Sequence, residues 1–216
     1  SLEKMKKYLK KNKGLMLVLS SPSGAGKSSI CRSLLSLDNN LNMSISTTTR
    51  EKRPNEIDGS DYFFVDENKF NELLIKDYFI EHAKVFGNYY GTEKKIIEDS
   101  IDQGKDLLFD IDWQGAQQLR EKMGEDVVSV FILPPSKKEL EKRLKNRGQD
   151  SDLVVKNRMN EASSEITHWA EYDYLIINDN LDQSVSDVLS ILKAERMKRI
   201  RQIGLAEFTR SIIDDA

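Results

Sequence analysis

The chain has 216 residues, of which 38% are hydrophobic and 32% charged, with a net charge of −3. That is enough apolar material for one large or two small cores, and the near balance of charge argues against a dedicated nucleic-acid binder. The single cysteine, Cys31, rules out an intrachain disulfide framework and suits a reducing compartment, so a soluble, cytoplasmic protein is expected.

The first thirteen residues carry Lys4, Lys6, Lys7, Lys10, Lys11 and Lys13 and read as a solvated arm or short helix. The apolar run after them, Leu15 to Leu19, is shorter than the roughly 7 to 15 residues of a secretory h-region. No stretch approaches the roughly 18 to 20 apolar residues of a membrane span. Instead, the run continues as LMLVLSSPSGAGKSS: a buried strand, a loop of small residues, then Lys27 and a pair of hydroxyls. Such a loop turns its backbone N–H groups toward one point, and the following helix adds its N-terminal dipole. Lys27 can reach the β- and γ-phosphates of a nucleoside triphosphate, and the Ser28 hydroxyl suits Mg²⁺, which is the chemistry of GxxxxGK[ST]. Ser21 stands where that motif has its first glycine, and a positive φ there would cost roughly 1 to 2 kcal/mol.

Helical spacing of Ile30, Leu34 and Leu37 predicts a helix from Ser29 to Leu37, ended by Asp38, Asn39 and Asn40. The stretch MSISTTTREKRPNEIDGSDYFFV reads as a β-rich run, turns at Pro54-Asn55 and Asp58-Gly59, and a strand at Tyr62 to Val65. Asp66 caps a short helix with Phe70, Leu73 and Leu74 on one face. YFIEHAKVFGNYYGT follows as two short strands about a Gly87-Asn88 turn. The strand-rich region from about 46 to 92 is therefore expected to be an inserted subdomain.

A helix marked by Ile96, Ile97 and Ile101 stops at Gly104; a strand runs from Leu107 to Ile111. The helix Gln114 to Met123 is expected to stop at Gly124, before a strand from Val127 to Leu133. Ser136 and Glu139 form a capping box for a helix from Lys137 to Arg147 with Gly148 as its stop. A second charged helix is expected from Asp152 through Arg158 to about Trp169, then a strand at Tyr174 to Ile177. The closing helix shows Leu181, Val185, Val188 and Leu192 on one face, and Lys193, Arg196, Lys198, Arg199 and Arg201 read as its solvated surface. Strands alternating with helices predict an α/β fold with a parallel sheet covered on both faces.

STTTREKRPNEIDGSDYFFV, EHAKVFGNYYGT and LLFDIDWQGAQ, in this order after SPSGAGKSS, closely resemble the guanylate kinases. The resemblance extends from about Gly14 to the closing helix. It implies a P-loop NTPase core with a strand-rich GMP-binding subdomain and a helical lid, divided as an arm (1–13), core (14–45), GMP-binding subdomain (46–95), core (96–135), lid (136–170) and core (171–216). The activity it implies is transfer of the γ-phosphoryl group of ATP, with Mg²⁺, to GMP or dGMP. Ser21, Ser23, Gly24, Ala25, Gly26, Lys27, Ser28 and Ser29 would hold ATP. Arg50, Arg53, Tyr62 and Tyr90 would hold the GMP phosphate, to which guanidinium forks and phenols are suited. Ser46, Glu81, Thr92 and Asp112 would face guanosine. One carboxylate at Glu81 can accept from both N1–H and the 2-amino group of guanine, whereas adenine offers an unprotonated N1.

Asp110 would order Mg²⁺ through water, together with Ser28. Arg143, Arg147 and Arg158 match arginines that close over the phosphates and, with Lys27 and Arg50, would carry catalysis. His82 and His168 show no partner in the sequence and read as structural or surface residues. A guanylate-kinase-like peptide-binding module would lack the catalytic lysine and arginines that are present here, and a kinase for another base would not need Glu81. Nucleic-acid binding by the Lys-rich arm is the remaining rival. No protein partner is evident from the sequence.

Overall fold

The computed structural model describes residues 1–9, 11–146 and 151–214. The central strand β1 (Met16–Ser20) is buried along its whole length. Its apolar run has the composition of a strand covered on both faces, and the packing shows why. Leu15, Leu17 and Leu19 face α2 (Lys27–Leu37) and α8 (Leu181–Met197), meeting Ile30, Leu34, Val185 and Val188. Met16 and Val18 face α4 (Lys94–Asp102) and α5 (Trp113–Met123), meeting Ile97, Ile101, Ala116 and Leu119. Successive side chains thus feed two separate cores, as the two-residue period of a strand requires.

Around β1 the sheet runs β2 (Leu41–Met43), β7 (Asp106–Asp110), β1, β8 (Val127–Leu133), β9 (Tyr174–Ile177), and every pairing is parallel. Catalytic and ligand-binding groups in such sheets gather at the carboxyl ends of the strands. Here the loop after β1 and Asp110 at the end of β7 lie side by side, with Leu19 in register with Asp110.

A second sheet has the order β4 (Phe63–Phe64), β3 (Thr47–Thr48), β6 (Asn88–Glu93), β5 (Phe79–Val85). Helix α3 (Glu67–Ile75) is capped by the Asp66 carboxylate, which accepts from Lys69 N at 2.7 Å, and it buries Phe70 against Phe79 and Tyr89. The hairpin turn is Phe86–Gly87 rather than Gly87–Asn88: φ is 50° at Phe86 and 80° at Gly87, the paired left-handed geometry that matches strand twist. β5 is the outer strand of this sheet, and its free side is met by α5. The Gln118 amide donates to His82 O (2.7 Å) and accepts from His82 N (2.9 Å), while Lys122 donates to Ile80 O.

Helices α6 (Lys137–Asn146) and α7 (Asp152–Ile166) share a small core of Leu140, Leu144, Val155 and Ala162. Ser136 caps α6 by accepting from Glu139 N, but the Glu139 carboxylate turns to Arg143 instead of completing the box. Arg147 and the expected stop at Gly148 lie outside the described residues. α5 ends at Met123 with Gly124 as its cap, as expected, and the Gly124 φ of −53° carries the chain on into a 3₁₀ turn.

The basic cluster at the end of α8 and just beyond it is only partly a solvated surface. Arg196 bridges Asp38 and Asp106 with bonds of 2.7 to 2.9 Å, and Arg201 is buried, donating to Gly14 O and Glu125 O and pairing with Asp126. Beyond it, α9 (Leu205–Asp214) packs beside α1 (Leu2–Leu9), so the lysine-rich start is a short helix. Among the described residues no helix is long and apolar enough to cross a membrane.

Candidate active site

The chain leaves β1 through Ser21 and Pro22 and turns twice in the left-handed region, at Gly24 and Gly26, each with φ of 88°. Both turns need glycine. Ser21 does not: among the described residues, non-glycine positive φ occurs only at Asp77 and Phe86, so the departure from the motif stores no backbone strain. Helix α2 begins at Lys27, two residues earlier than its apolar spacing indicates, with Gly26 as its cap. A glycine cap has no side chain to occupy the first N–H groups, which suits them to an anion.

The loop is braced from behind. Asn178, buried at the end of β9, donates to Ala25 O at 2.7 Å and accepts from Ser184 Oγ at 2.9 Å. Arg143 reaches the same Ala25 carbonyl at 3.5 Å and Asn178 O at 3.3 Å. Lys27 pairs with Asp110 at 2.5 Å. Burial works against its charge, yet Asp110 more than offsets this, and the lysine pKa lies above its ordinary value. Cys31, one turn along α2, is a buried free thiol whose pKa burial pushes up to about 12, so it is inert packing.

The other end of the cleft is built from side chains on the second sheet. Glu81 is 2% exposed, and its Oε1 accepts from the Thr92 hydroxyl at 2.6 Å; Thr92 in turn lies 3.4 Å from Ser46 Oγ. Burial raises the Glu81 pKa to about 7, with nearby Asp112 adding to the rise and Thr92 opposing it. Asp112 caps α5, accepting from Gly115 N at 3.2 Å and Gln114 Nε2 at 2.8 Å. A Cβ at Gly115 would stand 2.7 Å from Glu81 Oε2, so a side chain there would have to displace the carboxylate. Tyr62 and Tyr90 meet edge to face at 6.0 Å, and the Arg50 guanidinium lies 5.2 Å from the Tyr62 ring.

One cleft of about 540 Å³ joins the two ends. It is lined by Ser21, Ser23, Gly24, Ala25, Gly26, Lys27 and Ser28 on one side, Ser46, Tyr62, Glu81 and Tyr90 on the other, and Asp110 and Asp112 between them. Thr92 stands behind Glu81, Arg50 beside Tyr62, and Arg143 behind the loop. Ser29 turns to Arg32, while the Arg53 side chain is exposed. Arg158 is half-buried on α7.

The sequence of this cleft can be matched to known proteins. The Guanylate kinase family profile matches residues 13–195. The chain belongs to the guanylate kinase family. A guanylate kinase of Rhodospirillum rubrum is 58% identical over 196 residues, covering 91% of this chain and 90% of its own length. One from Paramagnetospirillum magneticum is 54% identical over 200 residues, covering 93% and 94%. The crystal structure of guanylate kinase from Anaplasma phagocytophilum superposes with a TM-score of 0.78 at 42% identity, covering 94% of this chain and 97% of that one.

Within this family member, several residues at the site carry no signal in local sequence. Asn178 follows an apolar strand and looks like a turn residue until its contact with Ala25, 153 positions away, is seen. His168 has partners after all: it stacks on Trp113 at 3.8 Å and pairs with Glu171, which also meets Gln117. Glu165 lines the cleft with one carboxylate oxygen buried and unbonded among the described residues, and burial raises its pKa to about 7.

Proposed function

We propose that the protein transfers the γ-phosphoryl group of MgATP to GMP or dGMP, giving ADP and GDP or dGDP, by direct in-line attack. The observation that carries this reading is the single cleft with a backbone anion cradle and Lys27 at one end and the buried Glu81–Thr92–Ser46 chain at the other. The loop residues Ser21 to Ser29 hold the donor triphosphate; Arg50, Arg53, Tyr62 and Tyr90 hold the acceptor phosphate; Ser46, Glu81, Thr92 and Asp112 face guanosine. The chain then divides into a core, an acceptor subdomain at 46–95 and a lid at 136–170.

The donor set of a Ser28 hydroxyl and an Asp110 carboxylate fits Mg²⁺, which prefers oxygen ligands and keeps several waters. Ser28 would hold it directly and Asp110 through water; when bound, the ion neutralises charge on the β- and γ-phosphates.

No general base is needed. The second pKa of a phosphate monoester is about 6, so the attacking oxygen is largely unprotonated at neutral pH. What the chain supplies is alignment and positive charge, from Lys27, Arg50 and the arginines Arg143, Arg147 and Arg158 on or beyond α6. His168, engaged by Trp113 and Glu171, plays no part in proton transfer.

The test is ADP release from MgATP with GMP, dGMP, AMP, UMP and dTMP in parallel. GMP and dGMP should be used at least ~100-fold more efficiently than the others, and Lys27→Ala should lower the GMP rate by about 10³-fold. Equal rates with all acceptors, or full activity of the variant, would overturn the assignment.

A further inference from the structure

Arg50 follows β3, at the start of a loop that closes on itself at Glu56. The Glu56 carboxylate grips the end of the Arg50 guanidinium with two bonds, Nη1 to Oε1 at 2.8 Å and Nη2 to Oε2 at 2.7 Å. The second Nη1 hydrogen goes to Glu51 O at 3.0 Å. A guanidinium has five N–H donors. These contacts leave Nε–H and the second Nη2 hydrogen, a parallel pair on the other edge of the plane and a bidentate fork for a phosphate; the Tyr62 and Tyr90 hydroxyls also hydrogen-bond Arg50 and would share that phosphate.

Glu56 is itself held. Its Oε1 also accepts from Arg53 N at 2.9 Å, its own N–H donates to Arg53 O at 3.0 Å, and Lys52 Nζ donates to its carbonyl at 3.1 Å. The guanidinium also lies over the rings of Tyr62 and Phe64, 5.2 and 5.9 Å from their centroids, and these rings, 5.7 Å apart, stand together on one side of it. End, one corner and ring contacts are therefore fixed, and the fork sits beside the Tyr62–Tyr90 pair that lines the cleft. Because the clamp is an ion pair, the fork offers an incoming phosphate directed bonds without a full uncompensated charge.

We propose that Glu56 is a positioning residue for the acceptor phosphate: it never touches the substrate, but holds Arg50 so that its Nε/Nη2 edge faces the cleft. The proposal rests on GMP being the acceptor. A competing role, in which Glu56 occupies Arg50 in the phosphate's place, predicts the opposite sign.

Binding of GMP and of guanosine, which lacks the phosphate, separates these roles by titration calorimetry on the parent protein, Glu56→Gln and Glu56→Ala. Glu56→Ala should weaken GMP binding roughly 10- to 100-fold, the worth of a charge-assisted contact, and leave guanosine binding within about twofold. Glu56→Gln, which retains one acceptor oxygen, should fall between. In turnover, KM for GMP should rise while KM for ATP stays constant, and adding Glu56→Ala to Arg50→Ala should cost nothing further. Equal losses for GMP and guanosine, unchanged or tighter GMP binding by Glu56→Ala, or full additivity with Arg50→Ala would each overturn the proposal. If the parent protein itself showed no preference for GMP over guanosine, the acceptor assignment would fail and this inference with it.

Discussion

The two ends of the cleft are built from different kinds of group. At the loop after β1 the groups presented to the cleft are mainly backbone, with Asn178 and Arg143 bonded to the Ala25 carbonyl behind them. On the second sheet they are side chains carried by short strands, with Glu81, Thr92 and Ser46 in a relay. Backbone N–H groups bind any phosphate of the right shape, whereas a carboxylate beside a hydroxyl reads a donor pattern. The first end should therefore fail when atoms intrude, and the second when one atom is exchanged.

Among changes that test this contrast, the largest effect is expected from Gly26→Ala. The new Cβ meets both a left-handed φ, worth roughly 1 to 2 kcal/mol, and the Asn178 amide, which it would overlap. MgATP-dependent turnover should fall by at least ~100-fold, and the midpoint of chemical denaturation should drop. Gly24→Ala has the same φ, but its Cβ meets only the tips of Leu140 and Leu144 at 3.2 Å, which can yield. It should lose clearly less; equal losses would remove Asn178 from the account of the donor end.

At the acceptor end, Glu81→Gln should shrink the preference for GMP over AMP by roughly tenfold or more, because an amide presents donors to guanine's donors. The same residue gives a pH signature. Only the ionised carboxylate accepts both guanine donors, and burial holds its pKa at about 7. Guanosine affinity should therefore fall as pH drops below 7, approaching tenfold per pH unit, and should be flat in Glu81→Gln. Using guanosine removes the phosphate's own titration from the measurement.

A smaller effect falls on stability. A carboxyl raised from 4.5 to about 7 by folding holds a proton that the unfolded chain releases. Its burial is thus tolerated below pH 4.5 and costs stability as pH rises to 7, by an amount on the order of 1 to 3 kcal/mol. Denaturation midpoints at pH 4.5 and 8 should differ less in Glu81→Gln than in the parent. The slope should not vanish, since Glu165 is raised by burial in the same direction. An unchanged slope would mean that Glu81 is solvated in solution.

Much of the fold could be read locally because its cause is local. The continuous apolar runs of β1 and β8 announce strands covered on both faces, and Asp66 and Ser136 cap the helices that their positions suggested. What escaped had partners far away in the chain. Arg196 and Arg201 look like surface charge until Asp38, Asp106 and Gly14 arrive beside them, and Asn178 looks like a turn. Phe86 carries no turn signal of its own, since a bulky side chain rarely takes positive φ, yet it holds φ of 50° in the hairpin between β5 and β6. In the site, Lys27 and Glu81 follow from their chemistry and from the family resemblance, whereas the two-point grip of Glu56 on Arg50 is visible only in three dimensions.

The side chain of Gln118 has a consequence outside recognition altogether. An outer strand with open N–H and C=O groups is a template on which a stray chain can add itself and begin to aggregate. Gln118 closes both groups of His82 with one amide, imitating a rung of the next strand, and Lys122 places a charge on Ile80 O alongside. The segment that carries Glu81 is thus shielded on its open side at the residues flanking the carboxylate, so the small sheet is kept from extending into another molecule along its β5 edge.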